Sequence, residues 1–403
     1  MITKKKYLFQ LYLYLLLLLI YFKVQAKNVT ITSKETTEDI VHIIENLSLS
    51  KDIDEIKLVF KDKIHKVSFE ANNNFNFYKN ITFYSIDGII FDFQKHYSGQ
   101  MTINVSEGTT MKKIVFENIS FINFKNLYNT GVNMISFNIS GENNNFQIEF
   151  KNCTFYNNIG NLLYFRYEGI KKESVQPHVI LNDCKFTIFN TTFNNCYSYS
   201  EFLIHISSYY YYKYNKFSDT NNTFNLLIEN STFNVSGGEI NVSITNSKFH
   251  NINGKTPTPL ILDIIYSKIK IENCEFKNIK SILSSLFNEE SIYSFRNVTF
   301  KDITVNSKSI IDILYNSITF DNCFFSNILC NGESEHSSLL TFTSSDYGNA
   351  LKMNNVTIEN SKSNGNLILI KGNMSNIELS NLNINKIYSY GSVINNLSLN
   401  VSK

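Results

Sequence analysis

Groups able to do chemistry are present in this chain but dispersed. Seven histidines (His42, His65, His96, His178, His205, His250 and His336) include no pair at metal-ligand spacing. Glycoside hydrolysis would need two carboxylates held at a fixed separation. Asp263, Asp302, Asp312 and Asp321 recur in the C-terminal half, but they do not share one position of the repeat set out below. Solvated polar faces are the simpler reading. Only two arginines occur, Arg166 and Arg296, and neither is expected to have an acidic neighbour at a matching position. No catalytic residue, metal ligand or cofactor is assigned.

Six cysteines, Cys153, Cys184, Cys196, Cys274, Cys323 and Cys330, are spaced neither as a zinc ribbon nor as a CxxC redox pair. An even count permits disulfides, Cys153 with Cys184 or Cys323 with Cys330. Four of the six fall at one repeat position, however, where buried thiols serve as small apolar residues. The run Tyr209, Tyr210, Tyr211, Tyr212, Lys213, Tyr214 is the most unusual local feature. It is expected in a loop between coils, where exposed tyrosines can stack on sugar rings or anchor a partner. A biased low-complexity insertion is the simpler reading and the one preferred.

The element that must position everything else is a repeat. Ile269–Ile279, Tyr293–Ile303 and Ile318–Ile328 are its clearest copies, with the first Asn at 273, 297 and 322, a period of 24 to 25 residues. Looser copies place that Asn at 118, 152, 182, 230, 246, 355 and 381. Apolar residues alternate with period two, so each unit reads as three short strands turned at asparagines. Such a unit cannot bury its apolar face alone; stacked copies bury it together, with strands about 4.8 Å apart. Phe121, Phe155, Phe186, Phe233, Phe249, Phe276, Phe300 and Phe325 are expected to stack inside. Beside them runs a column Ile119, Cys153, Cys184, Ser231, Ser247, Cys274, Val298, Cys323, Val356 and Leu382. The corner asparagines are expected to form an amide ladder. Thr36 reads as the N-cap of one helix whose apolar face is Ile40, Val41, Ile43, Ile44 and Leu47.

This pattern resembles the right-handed parallel β-helix of the pectin-lyase-like superfamily over about residues 50–403. The form Asn-Cys-Thr-Phe-Tyr-Asn-Asn at 152–158 resembles the Phe-x-x-Asn repeats of polymorphic outer-membrane proteins and other adhesin-like surface proteins. The resemblance implies an all-β solenoid with an N-terminal capping helix. It also brings in polysaccharide lyases and glycoside hydrolases, but the polygalacturonase-like motifs Asn-Thr-Asp, Gly-His-Gly and Arg-Ile-Lys are missing here. The calcium-binding nonapeptide of toxin-type β-rolls is missing too.

The N-terminus reads as a secretory signal: Lys4–Lys6, an apolar run from Tyr7 to Phe22, and a small-residue site ending at Ala26; an uncleaved anchor helix is the competing reading. The expected division is a signal at 1–26, a cap with first strands at 27–80, and the repeat domain at 81–403. No membrane span is expected after cleavage. A net charge of +2 without a basic stripe argues against nucleic acid. Among many Asn-X-Ser/Thr sequons, Asn28, Asn221 and Asn373 are the expected glycan acceptors. Asn118, Asn152, Asn297 and Asn355 are expected to be shielded in an inward-lying corner ladder. The functional expectation is a secreted or cell-surface, non-enzymatic β-helix protein for adhesion, recognition or extracellular structure, with a polysaccharide or a surface glycan or protein as partner. The alternative is a polysaccharide lyase or glycoside hydrolase. The sequence fixes no oligomeric state.

Overall fold

The computed structural model describes residues 26–67, 74–95, 100–105, 113–126, 132–140, 146–171, 185–198, 202–212, 226–228, 241–265, 267–332 and 337–402. Within these the chain is an all-β parallel solenoid with one helix. Coil stacks on coil through parallel strand pairs. Lys268–Glu272 lies on Ile292–Arg296, and Glu275–Ser281 on Thr299–Val305, each in strict register. A facing wall is built of strands such as Asn161–Lys171 and Ile204–Tyr212, and further on of Ile311–Leu314, Leu340–Ser344 and Ile368–Gly372. A bridge between Leu262 and Phe287 joins the two halves of that wall.

Register follows from the corners. Asn118, Asn152, Asn190, Asn246, Asn273, Asn297, Asn322, Asn355 and Asn381 all have φ between 46° and 59°. This left-handed conformation turns the strand sharply, and among side chains Asn tolerates it best. Five residues later a second column turns again at Asn123, Asn157, Asn195, Asn251, Asn278, Asp302, Asn327 and Asn360. In the first column Asn118, Asn152, Asn190, Asn273, Asn297, Asn322 and Asn355 each donate to the coil before: Asn297 Nδ2 to Asn273 Oδ1 at 2.9 Å, for example, and Asn322 Nδ2 to Asn297 Oδ1 at 2.7 Å. The expected ladder therefore exists, but on the outside. Asn152, Asn190, Asn246, Asn273, Asn297, Asn322 and Asn355 are exposed, so the inward placement is corrected. The reason is that the residue after each corner, such as Cys153, Val298 or Val356, turns inward and the corner itself bulges out.

Inside, Phe121, Phe155, Phe193, Phe249, Phe276, Phe300 and Phe325 stack nearly parallel with centroids 4.6 to 5.1 Å apart. That spacing matches the strand spacing, so ring stacking and backbone pairing are satisfied together. The rung expected of Phe186 belongs to Phe193; Phe186 pairs with Ile148 and Val242 on the strand before the corner. The corner on that coil is Asn190, and Thr191 takes the place given to Cys184. Asn182, Cys184, Asn230, Ser231 and Phe233 lie outside the described residues. The five described cysteines are free and buried.

At the N-terminal end, Thr36 caps the helix Thr37–Ser48: its hydroxyl accepts from Asp39 N–H, and Asp39 accepts from Thr36 N–H. Ile40, Val41 and Ile44 are buried against the first coils, and Ile43 and Leu47 pack partly on the same core. Among the described residues no helix is long and apolar enough to cross a membrane.

Candidate functional site

With the inner faces filled by ladders, chemistry can occur only on the outside. On the facing wall, Ser136, Tyr164, His205 and Asp263 lie in one row across four neighbouring strands. Core residues flank them: Ile135 and Phe137 flank Ser136, Leu163 and Phe165 flank Tyr164, Leu262 and Ile264 flank Asp263, and Ile204 precedes His205. Strand alternation therefore turns the row away from the core, with Tyr164 and His205 half-buried and Ser136 and Asp263 buried.

His205 Nδ1 lies 2.7 Å from Asp263 Oδ2, with the two side chains 12% and 10% exposed. A carboxylate only accepts, so the proton in this bond sits on Nδ1 and the contact fixes the orientation of the ring. Asn288 Nδ2 donates to the other Asp263 oxygen at 2.7 Å. Asn288 is itself fixed: its N–H donates to Leu262 O, its Oδ1 accepts from Glu290 N–H, and its carbonyl accepts from Tyr293 O–H. Burial, and then the charge of Asp263, push the Tyr293 phenol well above its ordinary range, so that hydroxyl remains a donor. Tyr164 lies parallel to the His205 ring at 5.2 Å, and Phe202 stacks on it at 4.7 Å. Arg166 follows Tyr164 by two residues, on the same face.

The arrangement offers a fixed acceptor, an oriented imidazole, an amide and aromatic rings. Sequence reasoning left His205 and Asp263 apart because 58 residues separate them. Each is a polar residue between two apolar ones, which marks an outward strand position. Their adjacency depends on how many coils lie between, and spacing does not reveal that.

The other groups are placed elsewhere. Tyr209 to Tyr212 are not in a loop: they continue the strand Ile204–Tyr212, paired with Glu168–Lys171 and antiparallel to Leu226–Ile228. A run of tyrosines is a good strand former, and the neighbouring coil supplies a template. Tyr214 lies outside the described residues. Asp302 is a second-column corner that accepts from Asn327, and Asp321 accepts from Asn354. Arg296 does have acidic neighbours at matching positions, Glu272 at 3.7 Å and Asp321 at 3.9 Å, so that expectation is corrected. At 62% exposure it remains a surface charge in weak pairs. Asn28 is exposed on the first strand, Asn373 is exposed with its amide donating to Asp346, and Asn221 is outside the described residues. Among the described residues no group of three or more His, Cys, Asp or Glu side chains is placed to hold a metal ion.

No protein-family model and no curated protein sequence matches the chain. Similar solved structures include a mannuronic acid specific family 6 polysaccharide lyase from human gut microbiota, at 10% identity and TM-score 0.39, covering 90% of this chain and 83% of that one. The catalytic domain of a GH87 α-1,3-glucanase is similar at 10% identity and TM-score 0.36, covering 93% and 68%. PfbA, a surface adhesin of Streptococcus pneumoniae, is similar at 9% identity and TM-score 0.33, covering 91% and 93%.

Proposed function

We propose that this chain is an exported or surface-displayed β-helix protein that recognises a glycan polymer on the outer face of the wall carrying His205. The observation that carries this reading is the grouping of Tyr164, Phe202, His205, Asp263 and Asn288. The half-buried ring of Tyr164 suits the C–H face of a sugar and the oriented His205 imidazole suits its hydroxyls, while buried Phe202 and Asp263, the latter held by Asn288, fix that imidazole in place. Tyr209 and Tyr211 stand at the same strand parity as His205 and extend the proposed contact region. Flat walls along a solenoid suit an extended ligand.

A second reading, polysaccharide lyase or glycoside hydrolase, is favoured by one observation: His205 is held by Asp263 as an acid–base residue would be. A panel of pectins and other glycans, scored separately for binding and for product release, tests both. The expected result is binding without release, weakened about tenfold by Tyr164→Ala or His205→Ala, equivalent to loss of one good contact. Release above a heat-treated control, abolished by His205→Ala, selects the enzyme. A chain that neither binds nor releases any glycan overturns both.

A further inference from the structure

The outward corners carry an attachment chemistry of their own. Where a corner Asn is followed by an inward residue and then an outward Thr, the coil spells Asn-X-Thr: Asn152-Cys153-Thr154, Asn190-Thr191-Thr192, Asn297-Val298-Thr299 and Asn355-Val356-Thr357. All four asparagines are exposed with φ of 46° to 53°.

At first sight the ladder forbids modification, because each Nδ2 is a donor: Asn152 to Asn118 at 3.1 Å, Asn190 to Asn152 at 2.7 Å, Asn297 to Asn273 at 2.9 Å and Asn355 to Asn322 at 2.8 Å. The direction of these bonds removes the objection. Asn297 Nδ2 points to the coil before, and its Oδ1 accepts from the coil after. The N–H in use is therefore the one anti to the carbonyl. A trans secondary amide retains that hydrogen. The hydrogen replaced in an N-glycosidic amide is the other one, on the side of the carbonyl oxygen. A glycosylated Asn152 or Asn297 can thus keep both of its axial bonds, and Asn190 or Asn355 its bond to the coil before.

Spacing then selects among the sites. Asn152 and Asn190 are on adjacent coils, about 4.8 Å apart, too close for two sugar residues side by side. Asn297 and Asn355 are separated by the coil of Asn322, whose Asn322-Cys323-Phe324 is no acceptor, and so stand roughly 10 Å apart.

We propose that the first corner column is an N-glycan attachment edge, occupied at Asn297 and Asn355 and at no more than one of Asn152 and Asn190 in any molecule. The proposal rests on the reading of the chain as exported. In the reaction the Nδ2–anomeric carbon bond forms. The anomeric carbon–oxygen bond of a lipid-diphosphate oligosaccharide donor breaks, the diphosphate leaves with the bonding pair, and Nδ2 loses one proton. Attachment precedes folding, so the fold selects among glycoforms afterwards: an exposed corner accommodates one sugar, whereas a chain carrying sugars at both Asn152 and Asn190 cannot stack those coils and is not secreted.

The test is secretion of the full chain from a eukaryotic host, followed by amidase release in heavy-oxygen water and peptide mapping. Each occupied Asn then reads out as labelled Asp. Label at Asn297 and Asn355, with Asn152 and Asn190 never labelled in one intact peptide spanning both, is the expected result. Label confined to Asn28, Asn373 or other sites off the corner overturns this assignment while leaving the export reading in place. A chain retained in the cell without label at any sequon overturns both.

Discussion

A single side chain at a left-handed corner has two jobs, and substitution can separate them. Asn273 holds φ at 53° and donates to Asn246 at 3.1 Å. Its Oδ1 also accepts from Asn297 at 2.9 Å. Alanine loses both ladder bonds, about 2 kcal/mol, and meets the left-handed backbone cost, about 1 kcal/mol more. Glycine loses the two bonds without that backbone cost. Chemical denaturation should therefore place Asn273→Ala about 3 kcal/mol below the parent and Asn273→Gly about two-thirds as far; equal losses would mean that the backbone conformation costs nothing here. The thiols give a second residue-scale expectation. Burial pushes Cys153, Cys196 and Cys330 up to about 12 and Cys274 and Cys323 to about 11. These five should resist a thiol reagent at pH 8 in the folded protein and react after denaturation; rapid labelling of the native chain would contradict their burial. At this scale most corners were legible, because Asn followed by an inward residue and then an aromatic leaves a fixed signature. The coil of Asn190 was not. Cys184-Lys185-Phe186 and Thr191-Thr192-Phe193 both fit the local template, and only stacking of Phe193 on Phe155 at 4.6 Å and on Phe249 at 4.8 Å decides between them.

Among the elements, the capping helix was readable from Thr36 and its apolar face, whereas the residue it covers was not. His65 is buried, edge-on to Phe60 and tilted against Phe91, with Thr37 Oγ1 3.5 Å from its Nε2. Its partners come from three other segments, so no local pattern announces it. Burial lowers its pKa, against a smaller opposing effect from Glu35. The unfolded chain, with an ordinary histidine near 6.5, then binds the proton more readily than the folded one. The contribution of neutral His65 is fully present above about pH 6.5 and is lost as pH falls from there towards its lower folded value. Denaturation midpoints measured from pH 8 to pH 5 should fall on the acid side, and His65→Phe should flatten that slope. An unchanged slope in the variant would assign the acid sensitivity to another group. The facing wall teaches the same lesson about legibility. The outward parity of His205 and Asp263 is local, but their meeting is a property of coil stacking.

Across the whole molecule, stability should be graded along the solenoid axis, because each coil contacts only its neighbours. One end is closed by the helix Thr37–Ser48 over Ile40, Val41 and Ile44. Towards the C-terminal side of the described residues, the strand Met374–Ser389 is paired along its length to Asn349–Ser363, and among the described residues onward only at Met374 to Asn376. Burial falls off with it: Met353 is 1% exposed and its partner Leu379 40%, while Ile368 is 1% exposed and its partner Ile394 39%. An edge strand leaves alternate N–H groups without a sheet partner, and half-buried inward side chains hold it less firmly. Amide hydrogen exchange should therefore be slowest in the middle coils, such as Thr299–Val305 and Phe324–Cys330, and fastest in the alternate amides of Ile377 to Ser389. Phe300→Ala, which opens the aromatic stack between Phe276 and Phe325, should cost about 3 to 5 kcal/mol. It should speed exchange most on the two adjoining coils, with a small effect at the capping helix. Uniform acceleration from end to end would show that the solenoid opens as one cooperative unit. Protection of Ile377 to Ser389 equal to that of the middle coils would show that another strand covers the edge, and light scattering of the same sample would tell whether that strand comes from a second copy.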